Sequence, residues 1–125
     1  MNYPEDLKYS RTDEWVRLEG DTATIGISDY AQHELGDIVY VELPETGTTV
    51  SSGVAFGVVE SVKAVSELLS PVAGTVIESN QPVTNDPSIV NASPYTDGWL
   101  IKVRVEGDPS GDLMDAAAYA QYRSE

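Results

Sequence analysis

Between residues 13 and 105 the chain is a succession of short runs rich in β-branched residues, each closed within a few residues by Gly, Asp, Asn or Pro. No other feature restricts the fold as strongly. Short alternating runs suit half-buried strands and are too brief for packed helices. Glu14-Trp15-Val16-Arg17-Leu18 alternates polar and apolar residues, and Glu19-Gly20-Asp21 supplies a turn. Thr22-Ala23-Thr24-Ile25-Gly26-Ile27 then alternates again, which predicts a hairpin. Ser28 offers an N-cap to a short helix over residues 29–35, with Gly36 to stop it. Residues 37–43 read as the next strand, stopped by Pro44, and Thr46-Gly47-Thr48 turns the chain into Thr49-Val50. Residues 98–105 read as a last strand. After Gly107-Asp108-Pro109-Ser110-Gly111 the composition shifts to Leu113, Met114, Ala116, Ala117, Ala118, Tyr119 and Ala120, which favours a helix over about 110–122. The expectation is one mainly-β domain over 1–125, its core at about 6–106, with short helices and a C-terminal helix.

A faint internal repeat adds to this. Val54-Ala55 and Val58-Val59-Glu60-Ser61 recur 18 residues later as Val72-Ala73 and Val76-Ile77-Glu78-Ser79. Two like strand segments bracketing residues 62–69 suggest similar halves of one sandwich. Lys63 lies between them.

That lysine is unusual here. The chain carries 21 acidic residues against 7 basic ones, a formal charge of −14. Nucleic acids and anionic membranes reward Lys and Arg clusters, so neither is an expected partner. The acids are spread between apolar positions, a composition suited to a folded protein in concentrated salt, where self-repulsion is screened. No stretch approaches the ~20 apolar residues of a membrane helix. MNYPEDLKYS has neither a basic n-region nor an apolar h-region, so a cytoplasmic location is the expectation. Zero cysteines exclude disulfides, thiolate metal sites and a cysteine nucleophile.

Other chemistry is thin. His33 is the one histidine and has no second ligand at helical spacing, so no metal site is expected. There is no glycine-rich phosphate loop and no Gly-x-Ser-x-Gly elbow. Asn91-Ala92-Ser93 matches a glycosylation sequon, which means nothing without secretion. Lys63, flanked by Val62 and Ala64, admits three readings. Its stem packs on the sheet while the ammonium reaches water; or it is desolvated and forms a Schiff base; or it is displayed at a turn for another enzyme to acylate, which removes the charge and lengthens the stem into an arm.

The surrounding residues carry a resemblance. "FGVVESVKAVSELLSPVAGTVIE" resembles the lipoyl-lysine motif of the glycine cleavage system H protein family, in which a Glu-Ser-Val-Lys-Ala core bears lipoate on its lysine. "DLKYSRTDEWVRLEGDTATIGISDYAQHELGDIVYVELPETGT" before it, and "VNASPYTDGWLIKV" with "DAAAYAQYR" after it, resemble the family in the same order. The resemblance runs from Asp6 to about Tyr122.

It implies a barrel-sandwich hybrid of the lipoyl/biotinyl hammerhead type, with Lys63 at a hairpin tip. The residues alone do not force that turn, since Val-Lys-Ala contains no Gly, Asn or Pro. It further implies a monomeric, non-catalytic carrier with lipoate as N6-lipoyl-lysine on Lys63, within an attachment motif of Glu60, Ser61, Val62 and Ala64. The implied partners are glycine decarboxylase (the P protein), the aminomethyltransferase (the T protein), dihydrolipoamide dehydrogenase (the L protein) and a lipoate ligase or lipoyl transferase. In the family the loaded arm folds into a cleft on its own protein, and Thr12, Glu14 and Glu67 match the cleft positions. Solvated surface acids are the alternative for Glu14 and Glu67. Two positions depart from the family pattern: its motif histidine is Asp13 here, and its Asp four residues after the lysine is Glu67. A lipoyl reservoir serving 2-oxoacid dehydrogenases, a lysine-dependent enzyme and an unmodified scaffold remain as other readings. A biotin carrier fits less well, because that family favours Met-Lys-Met.

Overall fold

A computed structural model describes residues 1–107 and 113–124. In chain order the elements are β1 (Lys8–Tyr9), β2 (Glu14–Glu19), β3 (Thr22–Ile27), α1 (Asp29–Leu35), β4 (Ile38–Glu42), β5 (Thr49–Val50) and β6 (Ala55–Ser61). They continue with β7 (Val65–Leu69), β8 (Gly74–Ser79), α2 (Gln81–Asn85), α3 (Ser88–Ala92), β9 (Ile101–Val105) and α4 (Ala116–Tyr122). The strands make two antiparallel sheets, one ordered β1-β2-β3-β9-β8-β5 and the other β4-β6-β7. The hairpin at residues 14–27 is present in full register, Glu14 opposite Ile27 and Glu19 opposite Thr22.

The apolar positions of both sheets turn inward. Val16, Ile25, Val76, Ile101 and Val103 of the larger sheet meet Val41, Val59 and Leu68 of the smaller one in a common core. The two copies of the repeat fall in opposite sheets, Val58–Ser61 in β6 and Val76–Ser79 in β8. A second buried cluster, Leu7, Tyr9, Trp15, Tyr95, Ala116 and Tyr119, fastens the C-terminal helix to β1 and β2. Within it the Tyr9 and Tyr119 rings stack with centroids 4.6 Å apart.

The last strand and the last helix begin later than the residue pattern suggests. Residues 98–100 are not strand, and β9 starts at Ile101. There the Asn80 side-chain amide donates to the Asp97 and Trp99 carbonyls, turning those groups away from a ladder. Of the expected helix over 110–122, residues 110–112 lie outside the described residues. Met114 exchanges backbone hydrogen bonds with Tyr9 at 2.7 and 2.8 Å instead of coiling. Asp115, whose Oδ1 accepts the Ala118 N–H at 2.8 Å, caps the helix that starts at Ala116.

Gly26 sits opposite fully buried Trp15 across the β2–β3 ladder. A Cβ there would lie 2.6 Å from the indole Cε2 and Nε1. That indole donates from Nε1 to the Pro94 carbonyl at 2.9 Å and cannot move without losing the bond. Gly26→Ala is therefore expected to cost about 2 kcal/mol or more of stability and to shift Trp fluorescence. A melting curve matching wild type would show that the contact is not tight.

Candidate functional site: an exposed lysine beside a buried carboxyl

β6 and β7 are joined by Val62-Lys63-Ala64. Ser61 builds this turn with its side chain: its Oγ accepts the N–H of Lys63 at 3.3 Å and of Ala64 at 3.1 Å. Its own N–H donates to the Ala64 carbonyl at 2.8 Å. A serine thus does what Gly, Asn or Pro does elsewhere, the signal that a composition-based turn reading overlooks. The Val62 N–H donates to the Asp37 carbonyl at 3.2 Å, bracing the tip against the link between α1 and β4.

The apolar neighbours of Lys63 are not core. Val62 is 73% exposed and Val65 69%, and Lys63 and Ala64 are exposed with them. Glu60 is flanked across the sheet by Tyr40 and Val65, both exposed. Gly36 caps α1 with φ 78°, and a Cβ on it would lie 3.6 Å from Lys63 Cε, so the lysine stem lies over the end of that helix. Asn91, the sequon residue, holds this foundation together. Its Oδ1 accepts the Ile38 N–H at 2.9 Å, and its amide donates to Gln32 Oε1 and to the Gly36 carbonyl, both at 3.0 Å.

Thr12, Glu14 and Glu67 line one cleft of about 180 Å³, together with Tyr30 and Glu34 of α1 and Ser66 of β7. The chain therefore brings these three residues to one place. Glu67 is exposed, as a surface acid would be, but Glu14 is only 2% exposed. Glu14 Oε1 accepts hydrogen bonds from the Thr12 hydroxyl and, at 2.8 Å, from the Ser10 hydroxyl. Its Oε2 accepts the Leu69 N–H at 3.3 Å. Burial pushes its pKa up to about 7; the three hydrogen bonds pull the other way without winning, and the nearby Asp13 charge pushes it up further. A carboxyl buried without a cation of its own suits a cleft that receives one. Ser10 and the α1 residues escaped the sequence reading, because nothing in their spacing ties them to Glu14. Among the described residues no cluster of three His, Cys, Asp or Glu could hold a metal ion. His33 is exposed on α1.

By its architecture this is a carrier-type domain, a lipoyl-domain-like barrel-sandwich that offers a lysine on a braced tip. The crystal structure of a glycine cleavage system H protein from Mycobacterium marinum matches it with a TM-score of 0.91 at 38% identity, covering 98% of this chain and 99% of that one. The chain is 53% identical over 122 residues to the glycine cleavage system H protein of Rubrobacter xylanophilus, covering 98% of this chain and 95% of the relative. It is 54% identical over 122 residues to that of Marinobacter nauticus, covering 95% and 93%. The family profile described as Glycine cleavage H-protein matches residues 7–125. The chain belongs to the glycine cleavage H-protein family.

Proposed function

We propose that the chain is the lipoyl carrier of a glycine cleavage system and that Lys63 is its attachment site. The observation that carries this is the tip itself: Ser61 fixes the backbone on both sides of an exposed lysine. Acylating that amine disturbs neither ion pair seen among the described residues, Lys102 with Glu78 and Arg123 with Asp13. The residues fit the group. Glu60, Ser61, Val62 and Ala64 present the lysine to a lipoate ligase or lipoyl transferase. Once attached, lipoate would supply a dithiolane suited to reductive aminomethylation with the P protein, to loss of the methylene and of ammonia with the T protein, and to reoxidation of the resulting dithiol with the L protein. The chain's part is to tether, to orient and to exclude water, keeping the transferred group at high effective concentration.

Glu14 and Thr12 receive the cationic end of the loaded arm, with Glu67 at the cleft's rim. Docking a cation beside Glu14 lowers that residue's pKa, so docking expels a proton and tightens as the pH rises through 7.

Intact mass of the protein from its own cells, with the Lys63 peptide sequenced, tests the assignment. One lipoyl group on Lys63 is expected. An unmodified Lys63 in cells that lipoylate other proteins overturns it.

The charge of −14 supports a second part of the proposal, that the surface is suited to high salt. The melting temperature is expected to rise between about 0.1 and 2 M KCl, over which the Debye length shortens from roughly 10 to 2 Å. A fall would remove the habitat reading and leave the carrier reading untouched.

A further inference from the structure

Arg123 lies outside the cleft but touches both of its walls. Its Nε donates to Asp13 Oδ1 at 2.8 Å and its Nη2 to Asp13 Oδ2 at 2.7 Å, a two-pronged pair. The same guanidinium sits 4.5 Å from the ring centroid of Tyr30 and 4.5 Å from that of Tyr122. Asp13 and Tyr30 both line the cleft, one from the loop that carries Thr12 and leads into Glu14 of β2, and one from α1. Asp13 is held hard. It is the one non-glycine with positive φ among the described residues, at 77°. Its Oδ1 also accepts the Tyr119 hydroxyl at 2.7 Å. The Tyr119 hydroxyl in turn bonds Ser28 Oγ at 2.6 Å, and Ser28 caps α1. Two residues at the C-terminal end, Tyr119 and Arg123, therefore bind the loop and the helix together.

We propose that Arg123 is a positioning residue for Glu14: a latch that joins the cleft's two walls and balances the charge of Asp13 next to the buried carboxyl. The proposal rests on the reading of the cleft as the place where the loaded arm docks. It also gives Asp13 a role at the position where the family pattern has histidine. The guanidinium is suited to this because it can fork onto a carboxylate and stack on a ring at once, which an ammonium cannot. The other ionisable groups lining the cleft are Tyr30 and Glu34 from α1 and Glu67 from β7. None of them is a cation, so Arg123 is the cation that holds Asp13.

Two measurements decide it. The first follows the Glu14 side-chain carboxyl by ¹³C NMR against pH in the unloaded protein. Arg123→Gln leaves Asp13 unbalanced and is expected to move the Glu14 midpoint upward by about half a unit or more. Asp13→Asn removes the neighbouring charge, suits the positive φ, and is expected to move it downward. A purely structural anchor would not produce shifts of opposite sign. The second measures release of formaldehyde and ammonia from the methylamine-loaded protein, a hydrolysis that consumes one water and returns the thiol. Arg123→Gln is expected to speed it at least about threefold, and Arg123→Lys to recover the titration better than the protection. Folded variants with an unmoved Glu14 midpoint overturn the latch, whatever their melting temperatures. If wild-type release matches that of a loaded lipoyl peptide, the docking reading fails, and the titration still decides the latch by itself.

Discussion

Arginine in place of Lys63 is expected to leave the fold intact and to reduce glycine-dependent methylene transfer to background. Arginine keeps the positive charge and an apolar stem, and the tip is exposed, so no packing is lost. The turn asks only for the backbone N–H of residue 63, which every residue but proline supplies. Stability should therefore change by less than about 0.5 kcal/mol. A guanidinium is protonated at every accessible pH and is not a nucleophile for acylation, so no arm can be attached. The two readouts are a denaturation curve and transfer in the reconstituted P, T and L system after incubation with the lipoylating enzyme. Residual transfer above background would point to Lys8 or Lys102, the other lysines of the chain.

The pH dependence of stability should carry the mark of Glu14. Its folded pKa is raised from 4.5 to about 7, so between those values the folded chain binds more protons than the unfolded chain. Stability contributed by the protonated carboxyl is complete below the unfolded value and is lost as pH rises through the folded one. Over that window wild type should lose about 3 kcal/mol relative to a Glu14→Gln variant, which cannot ionise. Most of the loss should fall between pH 5 and 8. Urea unfolding of both proteins across this range measures it, and the other carboxylates cancel in the difference. Parallel curves would mean that water reaches Glu14 and the cleft is wetter than its geometry implies. The ionised carboxyl is unstable in place, and a cation entering the cleft would relieve that instability, which is the basis of the pull on a loaded arm proposed for this site.

Much of this architecture can be read from the residues because it rests on local rules. The β2–β3 hairpin follows from two alternating runs around Glu19-Gly20-Asp21, and α1 from a serine cap and a glycine stop. The repeat anticipated two opposed sheets. What escaped depends on partners distant in sequence. β1 is two residues long and exists because Lys8 and Tyr9 find Val16 and Trp15. α2 and α3 are five residues each, too short for a periodic signal, and Val83 and Val90 anchor them in the core. The site divides the same way. Lys63 stands out in its own short segment and lies exposed at the β6–β7 tip, whereas the burial of Glu14 has no local signal, since it is made by Ser10, Leu69 and the face of α1 together. The latch was beyond reach, because Asp13 and Arg123 are 110 residues apart.

One further consequence belongs to α1. Its C-terminal cap, Gly36, lies under the stem of Lys63, while its N-terminal cap, Ser28, donates its backbone N–H to the Asp13 carbonyl beside Glu14. The helix is thus a ruler laid between Lys63 and the Glu14 end of the cleft, seven residues and so roughly 10 Å long. One residue inserted into it would add about 1.5 Å and rotate everything beyond it by about 100°. Under the proposed docking, the spacing between Lys63 and Glu14 would then no longer match an arm of fixed length. Strands and loops elsewhere can drift as the sequence changes; in the proposed carrier the length of this helix answers to the dimensions of a molecule the chain does not encode.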